Sequence, residues 1–347
     1  MDKTIITFIL LNFMIISLTA LFSLNKFDLF LKQLFFWIIG LSIYLSSFFL
    51  DFRFIFERYF YNLIIIFSFV ILFLVLFTSE TLKSWFNIYG FGIQPSEFAK
   101  IGFFLIFTRF LSYYQFDLIN PFYLFLSFFV LLPYLVLILL QPDWGMAFLY
   151  FLIWLLSIIS FVSKKEIFYG ILILILIFSF LWFFILKDYH KLRIISLVNP
   201  SNDPLKSGYN LRQIKVSLGT SSFWGKGVGL GEIGRLGFLP SASTDFILTF
   251  LIEERGILIF IFYSILLFLL LKEILKIIIF SKDPLVKNFA FIVYQYFLAK
   301  YLITSLVNFG IFPIIGLPVP FLSYGGSYLI FDLTMLAILQ SLSDFRV

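Results

Sequence analysis

Residues 239–256 read LPSASTDFILTFLIEERG, an apolar run that carries one acid at its start and three ionisable side chains at its end. Asp245, Thr249 and Glu253 recur at i, i+4 and i+8, so a helix starting here holds all three on one face. At 1.5 Å per residue Glu253 then lies about 12 Å beyond Asp245 along the helix axis. In a soluble helix this pattern would be ordinary. Here the flanks decide otherwise: 62% of the 347 residues are hydrophobic, only 13% are charged, and mean hydropathy is +1.07. Soluble domains are near half apolar and a quarter charged. The stretch therefore belongs to an integral membrane protein. An ionisable group placed at depth in such a protein faces other protein or a polar cavity.

A crossing helix needs about 20 apolar residues. Runs that satisfy this lie at 4–23, 30–50, 60–78, 96–112, 121–140, 144–162, 167–186, 245–271, 289–310 and 325–343. The fold class expected is an all-α polytopic membrane protein of about ten spans. The chain reads as one transmembrane domain over 1–347, with a long extracytoplasmic segment, 187–244, between the seventh and eighth spans. The first run is too long for a signal-peptide core and no small-residue cleavage site follows it, so it reads as a span. Lys and Arg gather on one side: Lys3, Arg53, Arg58, Arg109, Lys164, Lys165, Lys272, Lys276, Lys282, Lys287 and Arg346 against Lys26 and Lys83 in the short segments opposite. That bias puts both termini in the cytoplasm. The net charge of +6 follows from these flanks and the long segment, and points to no nucleic-acid partner. Cysteine is absent and His190 is the sole histidine, which excludes disulfides, thiolate metal sites and cysteine nucleophiles.

The long segment has internal pattern. NPSNDPLKSGYN (199–210) is rich in turn formers. LRQIKVSLGTSSF (211–223) alternates as a short amphipathic helix suited to the membrane surface. GKGVGLGEIGRLG (225–237) must turn tightly, yet lacks the GK[ST] ending of a phosphate loop. It serves equally well as a connector.

Three further stretches interrupt the apolar background. KSWFNIYGFGIQPSEFAK (83–100) starts a helix at Pro95 with Glu97 in its first turn, and Lys100 is placed to pair with Glu97. QPDWG (141–145) sets Asp143 at the outer end of a span, where a capped turn explains it as readily as a site does. GLPVPFLSYGGSYL (316–329) opens the last helix through two prolines and a Gly-Gly pair. A helix-start carboxylate likewise accounts for Asp245, and internal pairing accounts for Glu253, Glu254 and Arg255.

Taken in order, QPSEFAK, QPDWG, GYN, the glycine-rich run, LPSASTDFI…EE and GLPVPFLSYGGS resemble the motifs of the SEDS family (RodA, FtsW and SpoVE type) over nearly the whole chain. The resemblance implies a ten-helix membrane enzyme, a peptidoglycan glycosyltransferase. Such an enzyme polymerises lipid II into glycan strands at the outer face of the bacterial cytoplasmic (inner) membrane. It works beside a class B penicillin-binding protein (a transpeptidase), other elongation-complex membrane proteins and membrane lipids. The form GLPVPFLSYGGS is closer to the RodA branch, which serves cell elongation and shape; GVGLGE (227–232) is closer to FtsW, which serves division. Two positions depart from the family's LPExHTDF: Ser241 replaces the Glu and Ser243 the His. Arg255 stands where the family has an apolar residue, and 308–316 is shorter by about one helical turn.

The implied reaction is inverting glycosyl transfer with undecaprenyl pyrophosphate as leaving group. It needs a general base for the acceptor hydroxyl and positive charge for the pyrophosphate. The resemblance makes Asp245 the base. The candidate substrate-binding set is Lys83, Trp85, Gln94, Ser96, Glu97, Lys100, Asp143, Tyr209, Arg212, Gln213, Lys215, Ser323 and Tyr324, with Lys83, Lys100, Arg212 and Lys215 as the cations. A divalent cation, Mg²⁺ or Mn²⁺, is expected at Asp245 or Asp143. A lipid II flippase or other transporter, and a scaffold without catalysis, are the rival classes. Neither an inverted repeat nor a need for an interfacial acid at Asp245 supports them.

Overall fold

A computed structural model describes residues 1–77, 84–88, 91–118, 120–184, 188–203 and 207–344. Among these, ten helices run to 16 residues or more: α1 (Lys3–Ser23), α2 (Phe27–Ser46), α3 (Arg58–Leu74), α4 (Pro95–Tyr114), α5 (Pro121–Leu140), α6 (Trp144–Ile159), α7 (Lys164–Phe184), α12 (Ile257–Phe280), α13 (Pro284–Asn308) and α14 (Gly326–Asp344). Seven of the described helices are long and apolar enough to cross a membrane, and α6 is a shorter apolar one. Three short helices, α8 (Asp188–Val198), α9 (Ser207–Thr220) and α10 (Glu232–Arg235), lie between α7 and α11 (Ile247–Arg255). A hairpin, β1 (Phe86–Ile88) with β2 (Phe91–Ile93), pairs Phe86 with Ile93 in antiparallel register just before α4.

One expectation needs correction. The run 245–271 is two helices, not one span. Gly256, at φ +71°, ends α11, and α12 carries the crossing from Ile257. A side chain at Gly256 would strike the carbonyl of Phe223, so the break is also the point where the glycine-rich segment touches the helix bundle. The amphipathic helix is present and longer at its start. It spans Ser207–Thr220, turns Gly208, Leu211, Ile214 and Ser217 into the protein against α8 and α11, and leaves Arg212, Lys215 and Val216 exposed.

Polar atoms at one end tie the bundle's ends together. Asp2 N–H donates to Glu273 at 2.9 Å, the N-terminal amine to Ser343 at 3.0 Å, and Phe52 N–H to Ser341 at 2.8 Å. Asp2, Glu273 and Ser343 thus share one end. Ser23, Thr19 and Lys26 meet Glu254, Arg255 and Ser243 at the other.

Between α4, α13 and α14 sit four charges, each 1% exposed or less: Glu97, Lys100, Lys300 and Asp332. The Tyr296 hydroxyl lies at their centre. Lys100 Nζ donates to it at 2.6 Å and Lys300 Nζ at 2.9 Å, and it donates to Asp332 at 2.5 Å. Lys300 also pairs with Asp332 at 2.9 Å, and Lys100 pairs with Glu97 one turn away. Two acids meet two ammonium groups, so the cluster is neutral as a whole. A buried charge left without its partner costs about 3–5 kcal/mol. Lys300→Met is therefore expected to lower the thermal midpoint in detergent sharply, and Lys300→Met combined with Asp332→Leu to regain most of the loss. A double variant no more stable than the single one would refute the coupling.

Candidate active site

At the outer-loop end of the bundle a cavity of about 520 Å³ opens between the hairpin, α8, α9 and the loops before α6, α11 and α14. Its wall contains Trp85, Gln94, Asp143, Asp245 and Tyr324, five of the residues expected from sequence. It also contains Ser84, Arg193, Asn210 and Tyr328, which the sequence reading did not select. Asn210 belongs to the GYN motif, one residue past Tyr209. Arg193 gave no motif signal of its own; only its place on α8 brings it here.

Asp245 precedes the first residue of α11, in a turn whose backbone is fixed from two sides. From α13, Asn308 Nδ2 donates to the Asp245 carbonyl at 2.8 Å, while its Oδ1 accepts the Thr249 N–H at 2.9 Å. From the loop before α14, Ser323 Oγ donates to the Thr244 carbonyl at 2.5 Å, and Tyr324 N–H to the Ser243 carbonyl at 2.8 Å. That loop is held in its turn: Gln33 donates to the Ser323 carbonyl at 3.1 Å and accepts from Gly325 N–H at 3.0 Å. The backbone is anchored, yet the Asp245 carboxylate has no hydrogen-bond partner among the described residues. Burial in the cavity wall pushes its carboxyl up to about 6, and the charge of Arg193 opposes that rise.

Asp143 caps α6, accepting Met146 N–H at 3.1 Å, and takes Gln94 Nε2 at 2.5 Å; Ser96 Oγ stands 3.5 Å away. Burial raises its carboxyl above the usual range, against those donors. Gly145 lets this turn approach the loop before α14, since a side chain there would meet the Ile315 carbonyl.

Several expected ligands are elsewhere. Lys100 and Glu97 belong to the buried cluster of α4, α13 and α14, with Lys100 committed to Glu97, Tyr296 and Asp332. Ser323 is wholly buried and acts as a strut, donating to Thr244 and accepting from Val319 N–H. Ser96 is buried under Asp143. Arg212 and Lys215 lie on the exposed side of α9, and Tyr209 and Gln213 are half-buried; none of the four lines the cavity. Lys83 lies outside the described residues, as does Arg346. Among the described residues no three acidic or histidine side chains group to hold a metal. The cavity offers the pair Asp143 and Asp245, of which Asp143 already accepts three hydrogen bonds.

The acids at the end of the opening stretch are fasteners, as pairing predicts, but their partners are remote. Glu253 accepts from Lys226 Nζ at 2.9 Å, Ile233 N–H at 3.1 Å and Ser217 at 3.3 Å. Glu254 accepts from Gly229 N–H and Ser23, both at 2.8 Å. Arg255 turns to Thr19 on α1 at 2.8 Å. Two glutamates thereby staple the glycine-rich segment to the bundle. Of the two replaced family positions, Ser243 takes a hydrogen bond from Lys26 at 3.3 Å, and Ser241 holds a left-handed turn at φ +57°.

The profile of the FtsW/RodA/SpoVE family, described as cell cycle protein, matches residues 2–347. The chain is 32% identical over 299 residues to the probable peptidoglycan glycosyltransferase FtsW of Wigglesworthia glossinidia brevipalpis, covering 82% of this chain and 75% of that protein. It is 30% identical over 275 residues to the peptidoglycan glycosyltransferase MrdB of Escherichia coli (strain K12), covering 77% and 72%. Its fold matches a chain in the structure "Structural coordination of polymerization and crosslinking by a peptidoglycan synthase complex", with a TM-score of 0.82 at 22% identity over 99% of this chain and 98% of that one. The rod shape determining protein RodA of Thermus thermophilus matches with a TM-score of 0.65 at 19% identity, covering 99% and 97%.

Glu254→Ala removes the acceptor that pins Gly229. Limited proteolysis is expected to cut within 225–237 at least several-fold faster than in the parent, with thermal stability down by about 1–3 kcal/mol. An unchanged cutting rate would show that the segment is held by other means.

Proposed function

The chain belongs to the FtsW/RodA/SpoVE family, and from that membership we propose that it is a peptidoglycan glycosyltransferase polymerising lipid II, with the outer cavity as its active site. One observation carries the placement. Asp245 is held by its backbone on the wall of a polar cavity while its carboxylate stays without a hydrogen-bond partner among the described residues, as a proton acceptor requires.

The acceptor's sugar hydroxyl attacks the anomeric carbon of the donor, and the bond to the pyrophosphate oxygen breaks. Asp245 takes the hydroxyl proton. Its electron pair is most available when the carboxyl is ionised yet still basic, and a value of about 6 meets both conditions near neutral pH. Gln94 fixes Asp143 on the opposite turn, where both line the space for the sugars. Trp85 and Tyr324 offer flat faces to them. A divalent cation held by Asp143 or Asp245, when bound, supplies positive charge to the phosphate oxygens. The polyprenyl chain fits an apolar groove of about 500 Å³ lined by Phe35, Phe36, Ile93, Phe98 and Phe331. Its rim reaches the cavity through Ile93 and Ser327, the neighbours of Gln94 and Tyr328.

The protein is a multi-pass membrane protein. We place it in the cytoplasmic membrane with both termini inside, on the strength of the Lys and Arg bias. A class B penicillin-binding protein and other elongation-complex proteins are its proposed neighbours. The loop SYGGS with Pro318 supports the RodA-like role in elongation over division.

Asp245→Asn is expected to abolish glycan formation from lipid II by the purified protein while leaving its thermal midpoint within a few degrees of the parent. Near-normal polymerisation by this variant would sink the assignment. Glycan chains formed in detergent, with no bilayer to cross, separate an enzyme from a flippase.

The pH dependence follows from the same group. A carboxyl raised to about 6 is protonated below that value, so the rate is expected to fall as pH drops from 7 to 5 and to level off above 7. A profile flat across this window would exclude Asp245 as the titrating base.

A further inference from the structure

Charge develops on the leaving pyrophosphate as the glycosidic bond breaks, and a cation on the cavity wall is the direct way to hold it. Of the basic residues that sequence offered, Lys100, Arg212 and Lys215 do not stand there, and Lys83 lies outside the described residues. Lys100 is sealed within the cluster of α4, α13 and α14, and Arg212 and Lys215 face away on α9. Among the described residues that line the cavity, the one cationic side chain is Arg193.

Arg193 stands at the middle of α8, and its side chain is exposed to the cavity. Its Nη1 donates to the carbonyl of Ile314 at 3.3 Å. That carbonyl lies in the segment between α13 and α14 that also carries Ser323 and Tyr324. One N–H thus orients the guanidinium plane and the others remain to meet a ligand. The fork spans two oxygens of a phosphate group, which a lysine ammonium cannot match in geometry. Asp245 lines the same cavity and feels the Arg193 charge.

We propose that Arg193 is the pyrophosphate-binding residue of this site, gripping the donor's diphosphate and stabilising it as it leaves. The proposal rests on the glycosyltransferase reading above. In the step, the acceptor oxygen forms its bond to the anomeric carbon and the carbon–oxygen bond to the diphosphate breaks. The electron pair stays on the diphosphate beside Arg193, and the hydroxyl proton goes to Asp245. Base and cation thereby serve opposite sides of one carbon. Arg193 also braces α8 against the loop before α14, so a structural role must be separated from a ligand role.

The full chain in lipid nanodiscs is titrated with undecaprenyl pyrophosphate and, separately, undecaprenyl phosphate. The parent is expected to prefer the diphosphate. Arg193→Gln should weaken diphosphate binding by about 10- to 100-fold, the loss expected for a charged hydrogen-bonding group, and erase the preference. Arg193→Lys should recover part of the affinity, since it keeps the charge and loses the fork. Diphosphate binding by a folded Arg193→Gln within two-fold of the parent would overturn the proposal. If Arg193→Gln unfolds, Arg193→Lys decides: parental affinity and preference would reduce Arg193 to a brace or a point charge. A parent that binds the diphosphate through Arg193 yet forms no glycan would overturn the glycosyltransferase reading and leave the binding site standing.

Discussion

Two ammonium groups and one carboxylate meet at one tyrosine hydroxyl between α4, α13 and α14, a second carboxylate pairs with one of the ammonium groups, and all are out of reach of water. In that setting no charge can be left alone, so the three helices keep the relative placement that pairs them. The active cavity is built at the ends of these same helices. α4 presents Gln94 and Ser96 toward Asp143, α13 ends at Asn308 under the Asp245 turn, and α14 begins just after the loop that holds Thr244 and Ser243. The cluster therefore sets the frame on which every part of the site depends, although only its neighbours touch the cavity.

Above the frame the chain leaves helical geometry, and its backbone groups must be answered one by one. Asn308, Ser323, Gln33 and Tyr328 do this for the Asp245 turn and the loop before α14. Glu253 and Glu254 do it for the glycine-rich segment, through the N–H groups of Ile233 and Gly229. The consequence is a division of labour among polar side chains. Those with saturated partners position the backbone, and those with unused valence, Asp245 and Arg193, face the cavity. Rigid support with a few unanswered groups is the arrangement that favours charge development over solvent reorganisation.

The sequence reading was most successful where a motif and its environment coincide. Asp245, Asp143, Gln94 and Tyr324 reach the cavity wall because each lies just ahead of a helix start, and Trp85 reaches it from the start of the hairpin. It was weaker for Lys100 and Ser323. A motif position says that a side chain matters, and it does not say whether the side chain faces substrate or protein. Lys300 and Asp332 belong to no motif read from the sequence, and only the packing of α13 against α14 brings them together. The extension of one span through Gly256 failed at a local break: apolar residues resume directly after Glu253, Glu254 and Arg255, while the left-handed backbone of Gly256 ends α11 there.

By itself the sequence determined the membrane class, the succession of apolar spans and the family, because hydropathy over about 20 residues and short motifs are local properties. Which polar residues face one another depends on the angular placement of helices far apart in the chain. Tertiary structure alone decided that Lys100 joins a buried neutral cluster, that Glu253 and Glu254 hold a loop some 25 residues upstream, and that Arg193 shares a cavity with Asp245. The physical reason is that burial makes a charge choose its nearest compensating partner, and nearness across helices is written in packing rather than in sequence order.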